Sequence, residues 1–231
     1  MRLKLLACEI LRREISSFAA DSPHQIDVEF LPQQWHVIGR RHMQDRLAEY
    51  LAAVDEDLYD AVLLGYALCS GGIAGLSAGK IPLVVPRAHD CITLFLGSRK
   101  RYEDYFFANG GTYFMTTGWF EQDNALNHEI EMMPFYTKIA FIEMGIEPDN
   151  TFEQRTQEIA DRHHWQFEKL IGDLSLLKRF INGDWNEDFL IVPPGGHIQQ
   201  AYNDDIIEIG VHLPTLNTHQ DGLCANAMPK Q

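Results

Sequence analysis

The position of three of the four cysteines constrains this chain more than any other feature of its sequence. Each of the three follows a short apolar run of the kind that forms buried parallel strands. The cysteines are Cys8, Cys69 and Cys91, and the runs before them span residues 3–7, 61–66 and 81–85. If these runs are strands of one parallel sheet, the thiols lie at its carboxyl edge, where open α/β sheets bind ligands. The spacing therefore predicts the place of a site.

The first hundred residues alternate between strand-like and helical patterns. Residues 26–31 form another strand-like run, whereas residues 9–20 and 40–54 carry apolar residues at helical spacing. Such alternation is typical of a parallel sheet with right-handed crossovers. We therefore predict an α/β fold with a Rossmann-like, mostly parallel sheet flanked by helices.

The second half of the chain has a more helical pattern. Helices are predicted over 121–144, from 150 to about 171, and over 175–182. The predicted organisation is a single α/β domain over 1–211, with a helical subregion at about 120–183. Residues 212–231, rich in Asn, Gly and Pro, are expected to form a loose tail.

The charge of the chain excludes one large class of function. With 33 acidic and 19 basic residues, the formal net charge is −14. A general nucleic-acid binder needs a basic surface to neutralise phosphates, so no nucleic-acid partner is expected. The adjacent Arg40 and Arg41 are interpreted as solvated surface. No apolar stretch approaches the roughly 20 residues that span a bilayer, so we expect a cytoplasmic protein without a membrane partner.

Thiolate and imidazole side chains are ligands that Zn²⁺ and iron prefer in proteins. We predict a Cys₃His metal site formed by Cys8, Cys69, His89 and Cys91, with Zn²⁺ as the first candidate ion and iron as the second. Two other interpretations stay open. The cysteines are catalytic thiols, or they are small buried residues of the core.

Other residues near the same predicted edge are candidates for binding a substrate. Gly71 and Gly72 belong to a glycine-rich turn after Cys69, and the helix expected after this turn favours an anion at its N-terminus. Arg87 is a candidate for bidentate binding of a carboxylate or a phosphate, with a simple ion pair as the competing interpretation. His36 follows the second predicted strand and is a candidate for binding substrate at the same edge of the sheet.

Two acidic residues beside the cysteines are the predicted proton carriers. Asp90 lies between His89 and Cys91 and is also placed to orient a metal ligand. Glu9 follows Cys8, and its competing interpretation is a solvated glutamate favoured by a helix dipole.

Three segments of the chain resemble an uncharacterised family, the domain-of-unknown-function family numbered sixteen thirty-eight. They are the Leu-Gly-Tyr-Ala-Leu-Cys run at 64–69, the Pro-Arg-Ala-His-Asp-Cys run at 86–91, and a segment that begins with Gly-Thr-Tyr at 111–113 and ends with Gly-Trp at 118–119. The resemblance covers roughly residues 1–195. Ala67 and Ser70 stand where the family pattern has glycine, which changes the turn and leaves the thiol in place.

The resemblance implies a metabolic setting and no settled activity. It implies one-carbon or corrinoid-linked methyl metabolism, with a corrinoid as a further candidate cofactor. A corrinoid protein or a methyltransferase is the partner that it implies. Zinc-bound thiolates suit such chemistry, because the metal keeps the thiolate available near neutral pH.

Three functions follow from these observations. The first is a metal-dependent, transferase-like enzyme that acts on a small molecule. The second is a metal-free cysteine enzyme of the racemase type, in which two thiols exchange a substrate proton, although the Ala-Cys-Asn-Thr and Gly-Cys-Thr-His signatures of such enzymes do not occur. The third is a non-enzymatic accessory protein that handles a metal or a corrinoid.

Overall fold

The structure is a computed structural model, and it describes residues 1–122 and 135–210. The described strands are β1 (Arg2–Cys8), β2 (Gln25–Leu31), β3 (Ala61–Gly65), β4 (Leu83–Pro86), β5 (Thr112–Met115), β6 (Lys138–Glu143), β7 (Gln166–Ile171), β8 (Phe189–Val192), β9 (His197–Gln200) and β10 (Ile207–Gly210). The described α-helices are α1 (Arg12–Ala20), α2 (Trp35–Ile38), α3 (Arg40–Ala52), α4 (Cys91–Leu96), α5 (Arg99–Ala108), α6 (Thr117–Gln122), α7 (Thr151–His163) and α8 (Ser175–Asn182).

The main sheet has five strands in the order β2-β1-β3-β4-β8. The first four strands are parallel to their neighbours, and β8 adds an antiparallel edge. Every residue of β3 and β4 is buried, as expected for strands covered on both faces. The predicted Rossmann-like, mostly parallel sheet is therefore confirmed. Because β1, β3 and β4 run in the same direction, the segments that carry Cys8, Cys69 and Cys91 leave the sheet at one edge.

A second, three-stranded parallel sheet has the order β5-β6-β7. With helices α6 and α7 it forms a second core, made of Met115, Phe120, Ile139, Phe141, Ile159 and Ala160. Strands β6 and β7 lie in segments for which the pattern predicts helix, so the prediction is wrong there. The apolar run of β6 is short, and periodicity alone does not distinguish such a run from a buried helix. The helix predicted from residue 150 ends at His163, because His164 adopts a left-handed conformation (φ 58°).

The remaining described strands form a separate two-stranded sheet. Strands β9 and β10 form an antiparallel pair, and β9 also bridges to Ser77. The predicted tail at 212–231 and part of the helix predicted over 121–144 lie outside the described residues. Among the described residues, no helix has the length and apolar character needed to cross a membrane.

A close backbone contact joins the two sheets near the carboxyl edge of the first. Gly118, in α6 after β5, lies against Ile10 in the turn after β1. A Cβ atom on Gly118 would lie only 2.0 Å from the Ile10 carbonyl oxygen. The two segments therefore pack at a distance that only glycine permits.

We expect Gly118→Ala to lower the free energy of unfolding by about 3 kcal/mol, the upper part of the usual cost of overpacking. Urea denaturation measures this loss. Gly110→Ala is the matched control, because a Cβ atom there meets nothing within 4 Å. Equal stability of the two variants would contradict the contact.

Glu14 on α1 is an acidic residue buried beneath this junction, with 0% exposure. Neither of its carboxylate oxygens has a hydrogen-bond partner in the described part of the chain. The pKa of Glu14 is raised to about 7, chiefly by burial; Glu147 and Glu121 contribute to the shift and Arg13 opposes it. The folded protein therefore holds a proton on Glu14 that the unfolded chain releases at lower pH.

This shift predicts how stability depends on pH. The contribution of Glu14 is largest below pH 4.5, is lost as pH rises towards 7, and is constant above that. The loss amounts to about 3 kcal/mol at about 1.4 kcal/mol per pKa unit. We expect Glu14→Gln to remove it, measured as the difference from wild type in urea denaturation at pH 4.5 and pH 8. Glu158→Gln, on an exposed face of α7, is the control, and an identical profile for both variants would contradict the assignment.

Candidate thiol-lined site

The structure brings the three cysteines together at the carboxyl edge of the main sheet. Cys8 is the last residue of β1 and is 3% exposed, whereas Cys69 and Cys91 are half-buried. The thiols lie close enough to influence one another, since Cys8 raises the pKa of Cys69 and both raise the pKa of Cys91. We call Cys8, Cys69 and Cys91 the thiol cluster.

His36 is the imidazole that meets this cluster. It lies on α2, and its Nε2 atom is 3.7 Å from the Cys8 Sγ atom. Its ring stacks on Tyr66 with 5.9 Å between ring centroids. Burial lowers the pKa of His36, so the neutral ring is favoured. A neutral imidazole nitrogen is the form that ligates metals.

The hydroxyl of Tyr66 is a buried hydrogen-bond donor near the thiol cluster. The side chain is 2% exposed, and its hydroxyl has no hydrogen-bond partner within residues 1–122 and 135–210. The hydroxyl is near the cluster, because Cys8 and Cys69 add to burial in raising the pKa of Tyr66. A buried hydroxyl without a partner costs free energy, so this donor marks a place where a ligand group or a water fits.

A cavity of about 230 Å³ opens above the cluster. Its lining residues are His36, Gly39, Arg40, Met43, Cys69, Ser70, Asp90 and Cys91. Cys8 lies beneath it, and the exposed Arg40 stands at its mouth. The sequence pattern assigned Arg40 to the solvated surface and not to the site. Its position at the start of a predicted helix was the one signal in the sequence that could have placed it near a strand end.

The electrostatics of the site keep the thiols protonated. Burial raises the pKa of Cys8 to about 12. It also raises the pKa of Cys69 and of Cys91, and the carboxylate of Asp90 adds to both shifts. Without a bound cation these thiols are weak nucleophiles, because the thiolate is the reactive form.

The turn that carries Cys69 is strained and tied to the Cys91 loop. Cys69 and Ser70 have φ values of 45° and 58°, in the left-handed region that favours glycine. The backbone N–H of Cys69 donates to the His89 carbonyl at 2.9 Å, and that of Leu68 donates to Ala88 at the same distance. These bonds fix the two thiol-bearing loops relative to each other. Strain of this kind persists where the surrounding structure holds it, often at functional sites.

Gly71 and Gly72, predicted as substrate contacts, pack against α3. A Cβ atom would lie 2.9 Å from the Arg40 Cζ atom at Gly71 and 2.3 Å from the Met43 Cε atom at Gly72. The helix predicted after them is also absent from this segment, which forms only a 3-10 turn over Cys69–Gly71. An anion-binding helix N-terminus therefore does not follow Cys69.

Asp90 has the role of a positioning residue. Its Oδ1 atom accepts from the Ile92 N–H at 3.0 Å, which caps α4, and its Oδ2 atom accepts from the Tyr102 hydroxyl at 2.8 Å. Burial raises the pKa of Asp90. With both oxygens engaged, Asp90 fixes the start of the helix whose first residue is Cys91.

Glu9 is likewise engaged by the backbone. Its Oε1 atom accepts from the Gln33 N–H at 2.9 Å. This bond holds the loop that leads into α2, so Glu9 positions His36. The predicted role as a proton carrier finds no support in this geometry.

Two predicted site residues lie outside the cavity, which differs from the prediction. Arg87 donates to the carbonyl oxygens of Asp205 (3.1 Å) and Ile207, so it anchors β10. His89 is 43% exposed in its side chain, and its Nε2 atom is 3.7 Å from Glu103 Oε1. The strand ends were correctly placed, but the sequence does not show that these two side chains turn outward.

No three His, Cys, Asp or Glu side chains in the described ranges stand in an arrangement that would hold a metal as they are. The four donors Cys8, Cys69, Cys91 and His36 nevertheless meet at one end of the molecule. Closure around an ion would require side-chain rotation, for which the cavity beside Cys69 and Cys91 leaves space.

The fold and the site define an α/β protein with a Rossmann-like sheet and a thiol-lined pocket at its carboxyl edge. A family model described as "Protein of unknown function (DUF1638)" matches residues 30–181, more than half of the chain. The chain therefore belongs to this family. No curated protein and no solved structure matches it. The matched range includes His36, Arg40, Cys69 and Cys91, whereas Cys8 precedes it.

The exposure and the raised pKa values predict the order of thiol reactivity. In metal-free protein with Cys224→Ser, we expect iodoacetamide to modify Cys69 and Cys91 at pH 8 more than about tenfold more slowly than free cysteine. Cys8 should react only after unfolding, because it is 3% exposed. Peptide mass spectrometry measures each site, and guanidinium-unfolded protein is the control. Rapid modification of Cys8 in folded protein would contradict this geometry.

Proposed function

We propose that this protein binds one transition-metal ion through Cys8, Cys69, Cys91 and His36, and that it is an enzyme acting on a small molecule. The observation that carries the proposal is the convergence of three thiols and one imidazole at a single strand edge. Thiolate and imidazole donors select Zn²⁺ first and iron second.

The separation of Cys8 and His36 supports this ligand pair. In a tetrahedral zinc site, a sulfur at about 2.3 Å and a nitrogen at about 2.0–2.1 Å from the ion lie about 3.6 Å apart. The Cys8 Sγ and His36 Nε2 atoms are 3.7 Å apart. This separation fits one edge of a tetrahedral site, and the proposed site needs the Cys69 and Cys91 side chains to turn towards it.

His36 replaces His89 as the proposed histidine ligand. His89 stacks on Tyr102 and faces Glu103, away from the cavity. His36 lines the cavity and faces Cys8. Glu9 supports this arrangement through its bond to the loop before α2.

Metal-free thiol catalysis of the racemase type has less support. A cysteine nucleophile or base needs a lowered pKa, supplied by a cation or a helix N-terminus. Here burial raises the pKa of all three thiols, and Cys8 is almost inaccessible. A bound ion would reverse this, since it deprotonates the thiols that coordinate it.

The choice between an enzyme and an accessory protein depends on access to the ion. Four protein ligands close a structural zinc site, whereas a catalytic site keeps one position for substrate. With four protein ligands, a substrate needs a fifth coordination position on the ion, and the cavity that reaches Cys69 and Cys91 leaves room for it on their side. We therefore favour an enzyme, and a role in corrinoid-linked methyl metabolism stays a prediction.

Elemental analysis of protein purified without a histidine tag tests the proposal. We expect about one Zn or Fe per chain, lost on substitution of Cys8, Cys69 or Cys91 by serine, since each thiolate is a ligand. His36→Gln should lose most of the metal, and His89→Gln is the matched control that should retain it.

Two results would contradict the proposed ligand assignment. Retention of metal in Cys69→Ser and Cys91→Ser would remove the thiol cluster as the ligand set. Equal loss in His36→Gln and His89→Gln would remove the assignment of His36. Far-ultraviolet circular dichroism on each variant separates loss of metal from loss of fold.

A further inference from the structure

Arg40 is a cation at the cavity mouth that no residue in the described ranges neutralises. Its side chain forms no ion pair or hydrogen bond with any residue that the structure describes. The protein has 33 acidic residues against 19 basic ones, so partners of opposite charge are abundant. An arginine left unpaired beside a cavity is a ready site for bidentate binding of a planar or tetrahedral oxyanion.

Arg40 is also the first residue of α3, a helix of 13 residues whose N-terminus lies in the cavity wall. The N-cap residue Gly39 provides no side-chain hydrogen bond, and the first turn contains no acidic residue. The free N–H groups there carry a partial positive charge. Two arginines in the first turn interact unfavourably with the helix dipole, and a bound anion would offset this.

Tyr66 is the independent observation that a ligand enters here. Its hydroxyl is buried without a partner in the described part of the chain and lies near Cys8 and Cys69. Tyr66 stacks on His36, which lines the cavity, so an unpartnered donor lies behind the cavity wall that contains Arg40. Asp90 also lines the cavity, but among the described residues it forms no ion pair with Arg40, and its oxygens accept from Ile92 and Tyr102.

Space for a larger ligand continues beyond Arg40. A second cavity, of about 430 Å³, has Arg40 in its wall together with Gln200 and the exposed Tyr202. The first cavity alone is smaller than the usual ligand pocket of about 300–1,000 Å³. A ligand held at Arg40 therefore has its reacting end over the thiols and room for the rest of the molecule outside.

We propose that the substrate of this site carries an oxyanion, a carboxylate or a phosphate group, which Arg40 and the N-terminal turn of α3 bind at the mouth of the thiol-lined cavity. The proposal rests on the proposed function only in placing the reacting end of the substrate at the thiols.

Titration calorimetry with inorganic phosphate and with malonate tests this site on both zinc-loaded and chelator-treated protein. We expect at least one anion to bind wild type, more weakly as salt is raised, and about tenfold or more weakly in Arg40→Gln. Arg41→Gln is the matched control, because Arg41 is adjacent and exposed and does not line the cavity. Preference for phosphate indicates a phosphate ester, and preference for malonate a carboxylate; either supports the proposal.

Metal content of the same samples separates this proposal from the previous one. Anion binding that depends on Arg40 supports it whether or not metal is present. Absence of binding by both anions in wild type would overturn it, as would equal losses in Arg40→Gln and Arg41→Gln. Loss of metal in Arg40→Gln without anion binding in wild type would instead make Arg40 a counter-charge for the thiolates, which also overturns it.

Discussion

The parallel pairing of β1, β3 and β4 is the constraint on which the site depends. Parallel strands put all their carboxyl ends at one edge, so residues far apart in sequence leave the sheet side by side. Cys8 ends β1 directly, and the other two thiols follow their strands within a few residues. The buried residues Leu5, Leu63 and Val84 lie side by side in this register, so the apolar core holds in place the strands that lead to the thiols.

Hydrogen bonds to the backbone of the loops fix the positions of the site residues beyond the ends of the strands. The Cys69 turn and the segment before Cys91 are bonded through Leu68 and Cys69, while Asp90 caps the helix that starts at Cys91. Glu9 does the same for the loop before His36. The acidic residues next to the cysteines thus act on backbone N–H groups. Cys69, Cys91, His36 and Arg40 line the cavity together with Asp90, whose oxygens are already hydrogen-bonded.

Apolar runs followed by cysteines were sufficient to predict the sheet and the edge at which the site lies. The orientation of single side chains was not predictable, because it depends on contacts made after the chain has folded. Arg87 turns towards β10, and His89 turns towards Glu103, although both follow β4 as expected. Strand β6 was missed because a short apolar run carries no distinct period. Strand β7 was missed because its mixed polar sequence follows a helical pattern that ends only at His164 in the structure. Arg40 looked like solvated surface because its isolation from acidic partners is visible only in three dimensions.

Zinc-edge X-ray absorption of the purified protein tests the central claim most directly, because it counts and identifies the atoms bound to the ion. The proposed ligand set predicts three sulfur neighbours at about 2.3 Å and one nitrogen at about 2.0–2.1 Å. A first shell made only of nitrogen and oxygen, or one with fewer than two sulfurs, would contradict the assignment of Cys8, Cys69 and Cys91 as ligands.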